Sequence, residues 1–261
     1  MSESMSPMDM FQLKGQRAVI IGGTGVLGGQ FTRALSGAGA QVTILGRSAE
    51  RGNALVEELM LAGGDASFIE VDVTERKDLE RAAEITQPQG GTDILINAAG
   101  VNSRTPFFEM GDEEFNNLLD VDLGAVFRAC QVFAPQMSNR TPGASIINIS
   151  SVSSGPPLSR VFAYAAAKAG VNNLTQFLAR EFAPLGIRVN AILPGFFPAE
   201  QNRALLTKER VENIISHTPM ARLGDTHELN GTVLWLAAQQ ASGFVTGSLI
   251  IVDGGFLAMT I

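Results

Sequence analysis

The sequence of 261 residues predicts one α/β domain, a doubly wound parallel sheet of about seven strands with helices on both faces. Three observations predict it. Short runs of β-branched and aliphatic residues recur along the chain. They read as hydrophobic throughout rather than alternating, which is the pattern of parallel strands covered on both faces. The segments between them are long enough for crossover helices.

The runs fall at residues 18–21, 41–45, 66–71, 94–97, 145–150, 188–193 and 248–252. In a doubly wound sheet, ligands bind outside the C-terminal ends of the strands near the point where strand order reverses, so the residues after each run matter most. The first run is followed by Gly22-Gly23-Thr24-Gly25-Val26-Leu27-Gly28 and then a helix-forming stretch over 30–35. Glycines there permit a tight turn and bring backbone N–H groups close to a pyrophosphate at the positive end of a helix. No Gly-Lys-Ser/Thr follows, which argues against a triphosphate loop. The second run ends in Leu45-Gly46-Arg47-Ser48, where such folds meet the adenosine ribose. Gly46 stands where an acid would bind the 2′-hydroxyl of NAD, and Arg47 offers charge for a 2′-phosphate. NADP(H) is favoured and NAD(H) stays open.

Asp72-Val73 follows the third run, Asn97-Ala98-Ala99-Gly100 the fourth, Ser150-Ser151 closes the fifth, Pro194-Gly195 follows the sixth, and Val252-Asp253-Gly254-Gly255 ends the seventh. Tyr164 and Lys168 stand four residues apart, about one helical turn, which puts phenol and ammonium on one helix face where the cation favours the phenolate. A hydroxyl near such a pair, such as that of Ser151, can hold a substrate oxygen.

Composition narrows the remaining classes. The chain is 45% hydrophobic, enough for a large core, and residues 13–261 read as one domain after a loose tail over 1–12. Its apolar runs are strand-length, and the opening residues lack the basic start and apolar stretch of a signal peptide, so neither membrane nor export is expected. A net charge of −7 argues against nucleic acid. The single Cys130 excludes an internal disulfide framework and fits a reducing compartment, the cytoplasm; within an apolar helical segment it reads as a small core residue. His217 and His227 lack metal-ligand company and read as structural or surface residues, so no metal is expected.

With these motifs in order, the stretch from about residue 13 to residue 256 resembles the compact, single-domain branch of the short-chain dehydrogenase/reductase family, whose Rossmann-type fold it would share. The resemblance implies an NAD(P)-dependent oxidoreductase that interconverts a carbonyl and a secondary alcohol by hydride transfer. Tyr164 would be the general acid or base, Lys168 would lower its pKa and hold the nicotinamide ribose, and Ser151 would bind the substrate oxygen. Cofactor contacts would come from Gly22, Thr24, Gly25, Val26, Leu27 and Gly28 at the turn, and from Arg47 and Ser48 at the ribose. Asp72 and Val73 would meet the adenine. Asn97, Ala98, Ala99 and Gly100 would form the wall, with Pro194, Gly195 and Phe197 beyond it. Three positions depart from the family pattern. Ile21 replaces a Thr and the middle glycine falls early, at Gly25, giving the Gly22, Gly25, Gly28 spacing of the family's longer branch. Asp122, within Val121-Asp122-Leu123-Gly124, stands for the catalytic Asn, and a carboxylate near Lys168 could alter the pKa of both. Ala199 stands for a Thr that contacts the carboxamide.

The segment from Gly195 to Arg203 occupies the place of the family's variable lid and is similar to that of D-mannonate (fructuronate) oxidoreductases, and less closely to sorbose or gluconate reductases. Gln201 and Arg203 offer donors for a carboxylate and hydroxyls, which implies a polar keto sugar or sugar acid as substrate. A catalytically idle dinucleotide-binding sensor or scaffold is the alternative. The helix of Tyr164 also presents Ala165, Ala169, Asn172 and Gln176 on another face, and the resemblance implies a homodimer or homotetramer packed through this helix and its neighbour.

Overall fold

In the computed structural model, residues 6–140, 142–159, 161–197 and 207–259 are described. Strand β1 (Arg17–Ile21) lies centrally because Ala18, Val19, Ile20 and Ile21 are all buried, with both of its faces covered. It pairs with β2 (Gln41–Gly46) on one side and β4 (Ile94–Asn97) on the other. With β3 (Asp65–Glu70), β5 (Ala144–Ile149), β6 (Ile187–Pro194) and β7 (Leu249–Val252), the seven strands form one parallel sheet in the order β3-β2-β1-β4-β5-β6-β7. Every strand agrees with its sequence-predicted run to within one residue at each end. Burial is incomplete at the two edge strands: Asp65, Ser67 and Glu70 of β3 are exposed, and so is Ile251 of β7. Each of these strands meets a partner on one side only.

The strand parity sorts the core into two layers. On one face Ile20, Ile44, Ile96 and Ile147 pack with Phe31 and Leu35 of α1 (Val26–Gly37), Leu55 and Leu59 of α2 (Ala49–Leu61), and Val233 and Leu236 of a later helix, Asn230–Ala237. On the other, Val19, Leu45, Leu95 and Ile146 pack with Leu79 of α3 (Arg76–Thr86), Phe133 of Ala125–Met137, and Val171 and Leu178 of Phe162–Phe182. Phe31 and Phe133 are wholly buried; truncating either to Ala would cost about 3–5 kcal/mol.

Helix α4 (Asp112–Leu119) does not end before α5 (Ala125–Met137) but passes through a π turn, Asp120–Gly124, in which Ala125 N–H bonds the carbonyl of Asp120. Helices α6 (Phe162–Phe182), α7 (Lys208–His217) and α8 (Asn230–Ala237) follow. The tail expected over 1–12 includes a 3₁₀ turn, Asp9–Phe11, near the Gln239–Ser242 turn. Cys130 is buried in the second layer, and burial pushes its thiol up to about 12, as suits a core residue. Among the described residues no helix is long and apolar enough to cross a membrane.

Because the chain leaves β1 toward β2 and β3 and returns to β4 on the opposite side, strand order reverses between β1 and β4. A crevice opens there at the strand ends.

Candidate active site

The crevice spans about 1820 Å³, part of it open to solvent, and is floored by the turn after β1. Gly22 has φ +75°, and a Cβ on it would lie 2.6 Å from Ala99 N, so this turn and the one after β4 touch backbone to backbone. A Cβ on Gly28 would lie 2.1 Å from the Gly22 carbonyl oxygen, which seats the first turn of α1 directly on the loop. Gly25 caps α1 without a side-chain bond, leaving the opening N–H groups of Val26, Leu27 and Gly28 directed to the crevice. These features fit a pyrophosphate, with Thr24 beside it.

At the far end, a Cβ on Gly46 would lie 2.8 Å from Thr24 Oγ1, so a side chain there would have to displace the Thr24 hydroxyl. Arg47 lines the crevice, and so does Arg51 of α2, a second cation that the sequence reading missed. Ser48 is engaged locally: its side chain caps α2 by accepting from Arg51 N–H at 3.3 Å. Asp72 and Val73 line the same end, and hydrogen bonds from the Thr74 hydroxyl and N–H hold the Asp72 carboxyl below its usual range. Ala98, Ala99 and Gly100 form the wall, whereas Asn97 is buried behind it and donates to Asn148 Oδ1 at 2.8 Å. Pro194 ends β6, and Gly195 and Phe197 lie on the far side of Tyr164, where Gly195 N–H bonds the Val252 carbonyl at 2.9 Å. That bond joins the sixth and seventh sequence motifs.

Tyr164 and Lys168 project from the first turns of α6 into this crevice, with Lys168 Nζ 5.4 Å from the phenol ring centroid. Ser151 follows β5. Its Oγ accepts from the Ser153 N–H at 3.1 Å and from the Ser153 hydroxyl at 2.9 Å, so both lone pairs are used and its own proton is left to donate. Ser153 is a supporting residue that the sequence reading missed. Lys168 Nζ donates to the Ile149 carbonyl at 3.1 Å and lies 3.1 Å from Asp122 Oδ1, both side chains nearly inaccessible. The Asp122–Lys168 contact is a close ion pair without hydrogen-bond alignment: Asp122 Oδ1 has no hydrogen-bond partner among the described residues. Asp122 Oδ2 accepts Val101 N–H at 3.2 Å. The expected downward pull of Lys168 on the phenol is present but outweighed. Burial pushes Tyr164 up, Lys168 pulls it down, Asp122 pushes it up, and a Ser151 hydrogen bond pulls it down, leaving the phenol above its ordinary value. Burial likewise raises Asp122 against the pull of Lys168.

On the other side of Tyr164 a pocket of about 800 Å³ is lined by Ser151, Asn102, Arg104, Phe196 and Arg210 of α7. Arg104 Nε is buried and has no hydrogen-bond partner among the described residues. Its loop is pinned from both sides of the arginine, since Glu114 Oε1 accepts from the Ser103 hydroxyl and, at 2.8 Å, from the Thr105 hydroxyl. Sequence reasoning missed Arg104, which sits in no motif. Ala199, Gln201 and Arg203 lie outside the described residues.

His217 is exposed and packs on the Phe256 ring, and exposed His227 pairs with Asp225. Among the described residues no cluster of three or more His, Cys, Asp or Glu has a metal-binding arrangement.

The sequence profile of a family described as Enoyl-(Acyl carrier protein) reductase matches residues 25–257. The chain is 42% identical to the Bacillus subtilis (strain 168) protein named uncharacterized oxidoreductase UxuB, over 94% of this chain and 96% of that one. It is similar to a gluconate 5-dehydrogenase from Burkholderia cenocepacia J2315 solved with NADP and tartrate, with TM-score 0.93, 33% identity, and 98% and 100% of the two chains covered. It is also similar to a protein from Haemophilus influenza, provisionally named a D-mannonate oxidoreductase and solved with NAD, with TM-score 0.90, 31% identity, and 97% and 99% covered.

Proposed function

The chain belongs to the short-chain dehydrogenase/reductase family, and on that premise we propose that it interconverts a keto sugar acid and its secondary alcohol with NADP(H). The observation that carries the substrate class is Arg104, a guanidinium with a buried, unpartnered Nε in the same pocket as Tyr164 and Ser151. A carboxylate would supply the missing acceptor, and Arg recognises one through a planar fork. Gluconate and mannonate, named for the two similar structures, are both acids of this kind. Arg210, held by Ser159 through bonds of 3.1 and 2.8 Å, adds positive charge to the pocket rim.

Bound in the crevice, the reduced nicotinamide would supply a hydride. The protein's own residues do the rest. The Ser151 hydroxyl donates to the substrate oxygen and stabilises the charge that develops on it. As the carbonyl carbon accepts the hydride, that oxygen takes the Tyr164 proton, and solvent returns a proton to the phenolate. Lys168, fixed by Ile149 and Asp122, keeps a cation beside the ring. The intact Ser151, Tyr164 and Lys168 weigh against an idle binding protein.

The 2′-phosphate reading is supported by two arginines, Arg47 and Arg51, over a glycine at the ribose position. The test is oxidation of NADPH and NADH over a panel of keto sugar acids and uncharged keto sugars. Turnover with uncharged ketoses alone would overturn the substrate class, and no turnover with any would favour the sensor.

Assembly has its own surface. Of the residues anticipated on α6, Gln176 is exposed and Ala165 and Ala169 are half-buried, whereas Asn172 donates to Ser154 at 2.8 Å. Beside that face, Leu119, Leu123, Phe127, Leu174 and Phe177 line an apolar groove between α4, α5 and α6, with Phe127 45% and Phe177 55% exposed. A homodimer or homotetramer packed through this groove would cover both rings. A monomeric mass by light scattering at micromolar concentration would refute it.

A further inference from the structure

We propose that Asp122 is the charge-setting residue of this site: its buried carboxylate offsets the Lys168 ammonium, so that Tyr164 keeps its proton through the pH range in which an unopposed ammonium would ionise it. The inference rests on the reading of Tyr164 as the proton-transfer group and adds a direction to it. A phenol held as an acid is ready to protonate a carbonyl oxygen, whereas alcohol oxidation must first remove that proton. The resting site is set for reduction.

The geometry is specific. The π turn adds a residue between α4 and α5 and turns Asp122 into the interior, where it is 0% exposed, instead of onto the helix surface. Gly100 makes room for it, since a Cβ there would lie 2.7 Å from Asp122 Oδ1. Lys168 Nζ lies 3.1 Å from the same oxygen, with its side chain 3% exposed, so the pair interacts with little solvent screening. A neutral amide at this position would accept the Val101 N–H equally well. It would supply none of the charge.

The groups around Tyr164 leave this role to Asp122. Lys168 comes from its own helix, Arg104 from the loop after β4, and Arg210 from α7, all cations. Ser151 after β5 is neutral. Glu114 of α4 is turned to Ser103 and Thr105 on the Arg104 loop. Asp122 is therefore the anion beside the Tyr164–Lys168 pair among the described residues, and its effect on the phenol is opposite in sign to that of Lys168.

The chain contains a single tyrosine, so near-ultraviolet phenolate absorbance during a pH titration of the cofactor-free protein reports Tyr164 alone. Asp122→Asn is expected to lower the titration midpoint by about one unit or more, and Lys168→Met to raise it. Far-ultraviolet circular dichroism at each pH marks the folded range. Asp122→Ser removes the same charge with a smaller side chain, and serves if the Asn variant does not fold. A midpoint that stays within about 0.3 unit of the parent, or rises, in the folded charge-removing variant overturns the proposal. If alkaline unfolding precedes the phenol transition, the pH profile of kcat for alcohol oxidation decides. Its acid limb must move to lower pH in Asp122→Asn, and an unmoved limb overturns the proposal. The absorbance titration uses neither substrate nor cofactor, so a shifted midpoint in a protein that turns over no sugar acid would sink the substrate reading and leave this one standing.

Discussion

The crevice over β1 and β2 and the pocket beyond Tyr164 share a wall but are built from different materials. The crevice is mostly backbone: Gly22, Gly28 and Gly100 let main chains and buried groups approach where any Cβ would collide, and the N–H groups opening α1 are placed to meet a pyrophosphate. The pocket is mostly side chains, brought from the loops after β4, β5 and β6 and from α7, with the half-buried Arg104 as a cation whose Nε is inaccessible. Backbone sites tolerate few substitutions and recognise what many ligands share, such as a pyrophosphate. Side-chain sites are free to change one residue at a time, and so carry specificity.

The largest expected effect falls on the wall the two regions share. Tyr164→Phe removes the proton donor while keeping the ring, and kcat should fall by about 10²–10⁴, with cofactor affinity within about twofold of the parent. Unchanged turnover with the best substrate would remove Tyr164 from the chemistry. In the pocket, Arg104→Gln should lower kcat/KM for a keto sugar acid by about ten- to a hundredfold while changing that for an uncharged ketose less than about threefold. Equal losses on both substrates would mean that Arg104 only shapes the loop. In the crevice, Gly28→Ala forces a Cβ against the Gly22 carbonyl, an overpacking of about 1–3 kcal/mol that should appear as weaker cofactor binding and a lower Tm. Unaltered cofactor affinity would show that the turn yields without disturbing the site. The smallest effect belongs to the exposed Arg47, where Arg47→Asp should weaken NADPH about tenfold relative to NADH. A parent protein that binds NADH as tightly as NADPH would show that neither Arg47 nor Arg51 reads a phosphate.

Asp122 complicates this division, since it belongs to neither region's lining yet controls a charge that both use. Family resemblance marks its position as unusual and near Lys168, but says nothing of its burial or of the distance between the two. The π turn, the gap left by Gly100 and the 3.1 Å approach to Lys168 supply those facts.

The sequence by itself determined the sheet, the dinucleotide turn and the Tyr164–Lys168 pair, for one physical reason: each is encoded over a span no longer than a strand and a turn. A parallel strand buried on both faces reads as a continuous apolar run, which is why all seven were legible to within a residue. A glycine turn before a helix and a spacing of one helical turn are equally local. The tertiary structure alone decided what depends on distant segments meeting. Arg51 joins Arg47 because α2 folds back beside β2, and Arg104 becomes a candidate anchor because segments distant in sequence meet around the same pocket. The apolar groove of Phe127 and Phe177 is likewise tertiary, because its residues come from α4, the π turn, α5 and α6. The charge on Tyr164 follows the same rule. Local spacing gives the pull of Lys168, but burial and a carboxylate from forty-six residues before that lysine in the sequence set the net direction, and both exist only once the chain has closed around them.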